Sequence, residues 1–99
     1  MSETREVQVK AKHIRKGRAG KPGCCAMALA LQDAFDGQPV SVGIISTVVF
    51  ESGVGQRSYW SLDEHSQDFI TWFDKVKRKD RKDCPQLQPF TAVLTRKLF

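Results

Sequence analysis

Two hydrophobic periodicities alternate along the chain, and the points where one gives way to the other mark its elements. Val7 and Val9 stand between polar neighbours, which predicts a short strand running into Lys10, whereas residues 1–6 are polar and expected to fray. Ala11–Lys16 suits one or two helical turns with Ile14 inward, and Gly17 is placed to end them in a left-handed conformation. Residues 18–23, with Gly20, Pro22 and Gly23, must be a loop. From residue 24 to 35, Cys24, Met27, Ala28, Leu31 and Phe35 recur at helical spacing, while Cys25, Leu29 and Ala30 carry the apolar surface round most of the circumference. That pattern predicts a central core helix, or one that also meets a partner. Asp33 and Asp36 oppose the dipole at its C-terminal end, so burial alone is expected to hold that end, and Gly37 and Pro39 close it.

Residues 40–50 (VSVGIISTVVF) are rich in β-branched side chains and read as one strand. Val40, Val42 and Ile44 share one face and Ile45, Thr47 and Val49 the other, so Gly43 suggests a bulge or a strand covered on both sides. Residues 51–56 read as a hairpin loop and residues 57–60 as the returning strand. Ser61 and Glu64 have capping-box spacing at the start of a helix whose Phe69, Trp72, Phe73 and Val76 form an apolar stripe, with Asp68, Thr71 and Lys75 toward water. Pro85 and Pro89 bar its continuation, and residues 90–95 supply a last strand. The predicted order is β-α-α-β-β-α-β: a small α+β single domain over residues 1–99, with a short sheet carrying helices mainly on one face. Residues 17–23 and 77–89 are expected to be basic, flexible loops.

Charge changes the picture through its placement. The net charge is +5, and twelve of the sixteen Lys and Arg residues fall in two stretches. The first holds Lys10, Lys12, Arg15, Lys16, Arg18 and Lys21 without an acid; the second holds Lys75, Lys77, Arg78, Lys79, Arg81 and Lys82, interrupted only by Asp80. Clusters of this kind attract polyanions or acidic protein faces in a salt-dependent way, and two of them weigh evenly against the alternative of solvated, solubilising loops. No apolar run approaches the ~20 residues of a membrane span, and the first residues lack the apolar core of a signal peptide, so a cytoplasmic protein is expected. Three cysteines, two of them adjacent, fit reduced thiols in that compartment.

Candidate chemistry is sparse. GRAGKPGCC, residues 17–25, has glycines and cations but neither a Walker nor a GxGxxG pattern, so a structural turn outweighs phosphate contact by Arg18, Lys21 and the Cys24 or Cys25 amide. A thiolate at Cys24 or Cys25, favoured by a helix N-terminus and lysines, with His13 or His65 as base, lacks an indicated triad partner. Cys24, Cys25, Cys84 and a histidine lack the paired spacing of a metal site. No catalytic residue, metal or cofactor is therefore expected, and Asp63, Glu64 and Asp68 are explained by capping and solvent. Trp72 and Phe73 belong by spacing to the core. Tyr59 and Trp60 point to opposite faces of a strand, so one of them is expected to be exposed and available for base stacking.

At His13-Ile14, Gly17, the cysteine-led Ala28-Leu29-Ala30-Leu31 helix and Val40-Ser41-Val42-Gly43, the chain resembles small proteins encoded by phages and prophages. The order of elements is similar down to a Phe-rich helix and a Pro-Phe-Thr strand, here Pro89-Phe90-Thr91. Members often have proline after the leading cysteine, where this chain has Cys25 and Ala26. The resemblance covers most of the chain and implies no activity or functional residues; it implies action on the nucleic-acid machinery of a host or invader, in the host cytoplasm. Taken together, the expectation is a non-enzymatic basic binding protein that engages nucleic acid or a nucleoprotein through its two clusters. The alternative is a protein inhibitor of a host or defence enzyme, which would dock through the helix of residues 24–35 or an exposed Trp, with basic contacts on an acidic face.

Overall fold

The computed structural model describes residues 3–51 and 56–97. The elements are β1 (Thr4–Val9), α1 (Ala11–Lys16), α2 (Ala26–Ala34), β2 (Val40–Val42), β3 (Ser46–Glu51), β4 (Gln56–Leu62), α3 (Glu64–Lys75), a 3₁₀ turn (Arg78–Asp83) and β5 (Phe90–Arg96). The strands form one antiparallel sheet in the order β1-β5-β4-β3-β2. β1 and β2 are therefore opposite edges, and the chain between them crosses the sheet as α1 and α2; α2 touches both edge strands, and α3 packs on β5 and α2.

Strand alternation explains why the helices lie on one face. Val7, Val9, Ala92, Leu94, Leu62, Trp60, Thr47, Val49, Val40 and Val42 are buried beneath them, while Glu6, Gln8, Thr91 and Val93 on the same strands are exposed. Met27 and Leu31 of α2 and Phe69 and Phe73 of α3 complete the core, each burial contributing about 1.5–3 kcal/mol. The Phe35 and Trp60 rings meet edge-on at 5.6 Å, and Phe69 lies 5.0 Å from Phe90. This is the α+β domain expected, with one more strand.

That strand arises because residues 40–50 are a hairpin. Val42 pairs with Thr47, and the change of phase at Gly43 is the turn itself, which leaves Ile44 and Ile45 64% and 61% exposed. The hairpin loop expected at residues 51–56 lies largely outside the described residues, although Glu51 and Gln56 pair across it. At the N-terminus, residues 4–6, expected to fray, are paired with β5, and Arg96 reaches Glu3 at 3.2 Å. Ser61 is not a helix cap: it belongs to β4, its hydroxyl donates to Thr95 O at 3.1 Å, and Asp63 is the N-cap of α3, accepting from the Ser66 hydroxyl. Residues 77–89 are likewise not all loop, since they contain the 3₁₀ turn.

The C-terminal end of α2 is held by more than burial. The Arg5 guanidinium stacks 4.1 Å from the centre of the Phe35 ring and donates to Ala34 O at 2.6 Å, satisfying a terminal carbonyl and complementing the dipole. Asp33 is engaged by His13 and Lys12, and Asp36 (φ 56°) and Gly37 (φ 79°) turn the chain out in the left-handed region.

Candidate anion-binding groove

The two basic stretches meet where α1 ends. Six residues are too few for a stable isolated helix, and the terminal carbonyls of α1 have no partner within it. Partners come from the 3₁₀ turn: Arg81 Nη1 donates to Ile14 O at 3.0 Å and Gly17 O at 2.6 Å, and Arg78 Nη2 donates to Arg15 O at 3.1 Å. The Arg81 guanidinium lies 4.1 Å from the centre of the Phe73 ring, so a cation–π contact anchors it to α3. Arg81 is only 5% exposed, and its Nε is buried with no acceptor. Among the described residues it has no carboxylate partner. Burial, and then the neighbouring charge of Arg78, pull its pKa down from the ordinary arginine value.

Gly17 makes this junction close. Its φ is −64°, so the left-handed ending expected of it does not occur. A Cβ there would lie 2.5 Å from Ala26 N and 2.9 Å from Phe73 Cζ: the glycine is needed for the approach of α1 to α2 and α3.

Beside the junction is an open cavity of about 610 Å³. Arg15, Arg78, Lys79, Arg81 and Lys82 bring five cations to its wall; Ala11, Ile14, Leu87 and Pro89 give it an apolar part, and the exposed Gln88 completes the lining. Among the described residues no acid lines it, and the exposed Asp80 and Asp83 of the same 3₁₀ turn lie outside the lining. In such a concavity like charges reinforce one another and attract anions.

The other expected contact residues are distributed differently. Lys10, Lys16, Arg18, Lys75 and Lys77 are exposed but do not line the cavity. Lys12 is partly neutralised by Asp33, 3.4 Å away. Lys21 borders a second, smaller hollow of about 110 Å³ that also contains Asp74. Arg81, expected as a surface contact, is instead the buried tie that joins the clusters. Of the two stacking candidates, Trp60 is 2% exposed and donates to Ser58 Oγ at 3.0 Å, whereas Tyr59 is half-buried on the other face. Trp72, expected in the core, is 42% exposed.

The glycine loop before α2 is a closed turn. The Cys24 and Cys25 amides donate to Lys21 O, the Arg18 amide donates to Cys24 O, and the Gly20 amide donates to Asp74 Oδ1 at 3.0 Å. These bonds consume the donors that a phosphate cradle would need. Cys25 caps α2, its Sγ accepting from the Ala28 amide at 3.4 Å, and burial pushes its thiol pKa up; the lowered value expected at a helix N-terminus is overridden by desolvation. Cys24 is exposed and lies outside the helix. Among the described residues no cluster of three or more metal-ligating side chains forms.

One constellation was hidden from the sequence. His13 is buried, its Nδ1 accepts from the Lys10 amide at 2.9 Å, and its Nε2 stands 2.7 Å from Asp33 Oδ2. The backbone donor assigns the imidazole proton to Nε2, so the ring donates to the carboxylate and ties α1 to α2. The hydrogen bond from His13, then Lys12, hold the Asp33 carboxyl below its ordinary value. Twenty residues separate the partners, and neither charge nor periodicity announces the pairing.

No helix among the described residues is long and apolar enough to cross a membrane. Compared with known proteins, the chain matches no family model, no curated protein and no solved structure.

Proposed function

We propose that this protein is a non-enzymatic binding protein that engages nucleic acid, or a nucleoprotein, through the groove between α1 and the 3₁₀ turn and the basic surface around it. The observation that carries this reading is the convergence of Arg15, Arg78, Lys79, Arg81 and Lys82 on one open cavity with no carboxylate among its described lining residues. A solvated charge run has no need of such an arrangement, and holding like charges together costs stability that a bound polyanion returns.

The reading is tested by measuring affinity for DNA and RNA over a range of salt concentrations. The expected outcome is binding that weakens linearly on logarithmic axes, and a triple variant Arg15→Ala, Lys79→Ala, Lys82→Ala whose slope is shallower by about 2–3. Absence of binding at low salt, or binding indifferent to salt, rejects it.

A second reading, a protein inhibitor docking on a partner enzyme, draws on the exposed Ile44 and Ile45 at the β2–β3 turn and on Trp72. The helix of residues 24–35 does not offer that docking face, since Met27 and Leu31 lie in the core. If docking operates, Ile44→Ser with Ile45→Ser abolishes association with a specific enzyme in nuclease-treated lysate and leaves oligonucleotide binding intact.

A further inference from the structure

The shape and lining of the groove say more than its charge does. A phosphate needs only a few donors, yet this cavity, at about 610 Å³, is within the ~300–1,000 Å³ range of pockets that enclose a whole small organic ligand. Its wall is also divided by chemistry. The 3₁₀ turn and Arg15 supply cations, while the exposed Ala11 and Pro89, backed by the buried Ile14 and Leu87, supply an apolar surface to which a phosphate contributes nothing. A ligand that satisfies both halves carries an anionic group joined to a flat or apolar one.

Two details add directionality. Arg81 spends Nη1 on Ile14 O and Gly17 O and, among the described residues, has no partner for Nη2, so a fixed guanidinium on the cavity wall retains a donor for an anion. Its tether to α1 and its seat on Phe73 mean that little side-chain entropy is left to lose on binding. Gln88, exposed in the lining, donates from Nε2 to Cys84 O at 3.1 Å, which orients its amide and leaves Oε1 as an acceptor. Fixed donors for phosphate oxygens, an apolar surface and an orientated amide acceptor together match the phosphate, face and edge of a nucleotide.

We propose that the groove is a pocket for one unpaired nucleotide of a single-stranded nucleic acid. The phosphate sits on Arg78, Lys79, Arg81 and Lys82, and the base lies against the exposed Ala11 and Pro89 with its edge toward Gln88. The inference rests on the nucleic-acid reading above and narrows it from any polyanion to a strand whose bases are unstacked. In a duplex the base is already paired and stacked, so only the phosphate half of the pocket is served, and entry requires extrusion at a cost of a few kcal/mol.

The test compares a fluorescently labelled oligothymidylate with a duplex of equal length by anisotropy at one salt concentration, for the wild type and for Ala11→Leu. Ala11 is exposed and lines the cavity, and a larger aliphatic side chain there fills the apolar half while leaving every cation in place. An aliphatic face is worth less to a base than an aromatic ring, so the wild type is expected to favour the single strand by about threefold to tenfold, and Ala11→Leu to lose that preference while keeping its duplex affinity. A second variant, Gln88→Ala, reads the edge contact and is expected to weaken single-strand binding by about twofold to tenfold without changing the salt slope. Equal affinity of the wild type for single strand and duplex, with a normal salt slope, overturns the pocket and leaves the nucleic-acid reading standing. Failure to bind either, as for a protein whose basic groove meets an acidic protein face, overturns both.

Discussion

At the residue scale, two positions decide whether the groove exists. Gly17 carries no side chain, and its effect is entirely one of distance: any Cβ intrudes on Ala26 backbone atoms, which cannot give way as a side-chain tip can. Gly17→Ala is accordingly expected to destabilise the protein by about 1–3 kcal/mol, read as a lower urea midpoint with unchanged slope. A neutral result would show that α1 is not packed as described. Arg81 is the converse case, a long charged side chain that has left the surface. Its hydrogen bonds to α1 carbonyls and its contact with Phe73 offset the desolvation of the charge, though an unmet Nε still costs about 1–3 kcal/mol. From sequence, Arg81 is indistinguishable from Arg78 or Lys82, because the Phe73 ring and the two carbonyls that receive it belong to other segments.

At the scale of elements, α1 is the piece with least stability of its own and most external support. Its carbonyl end is tied to the 3₁₀ turn, and its first turn is tied through His13 to Asp33 of α2. The latter tie carries a pH signature. The Asp33 carboxyl is held below its ordinary value by His13 first and Lys12 second. Its contribution is therefore fully present above the unfolded-state pKa of about 3.9 and disappears as pH falls through the lowered folded-state value. Asp33→Asn removes this contribution, so its stability should lie below wild type at neutral pH and converge on it as the solution is acidified from about pH 5 to about pH 2, followed by urea midpoints at each pH. Because the carboxylate is 59% exposed and screened by solvent, the gap is expected to be small and to shrink with added salt. A gap that persists unchanged at the acid end would assign the effect to packing instead. The β2–β3 hairpin illustrates a different point: an eleven-residue apolar run has two possible explanations, a long strand or two strands with an apolar turn, and only pairing selects between them.

At the scale of the molecule, the consequence is electrostatic. Folding gathers cations that lie 60 or more residues apart in sequence, as the 63- and 67-residue separations of the Arg78–Arg15 and Arg81–Ile14 contacts show, so the native state alone concentrates their field. An anion that binds the groove stabilises the native state and not the unfolded chain. Millimolar phosphate is thus expected to raise Tm above that in chloride of matched ionic strength by ~4–8 °C for each ~1 kcal/mol of binding energy. The Arg15→Ala, Lys79→Ala, Lys82→Ala variant should lose the increment. Equal melting curves for wild type in the two salts would mean that the groove concentrates no anion.

The sequence by itself determined the local elements and their faces. Alternation at Val7 and Val9, the Ala- and Leu-rich helix and the Phe69–Phe73 stripe each follow from periodicities of 2.0 and 3.6 residues, and with them came the α+β class and the one-sided packing of helices. It also supplied the cations of the groove by name. Tertiary structure alone decided which cations meet, that Arg81 is buried and Trp72 is not, that Gly17 serves proximity rather than a turn, and that His13 finds Asp33. The physical reason is common to all four. Periodicity reports which side of an element faces away from water, whereas these features depend on which side of another element it meets, and that is fixed only when the connections between α1, α2, α3 and the 3₁₀ turn close in space.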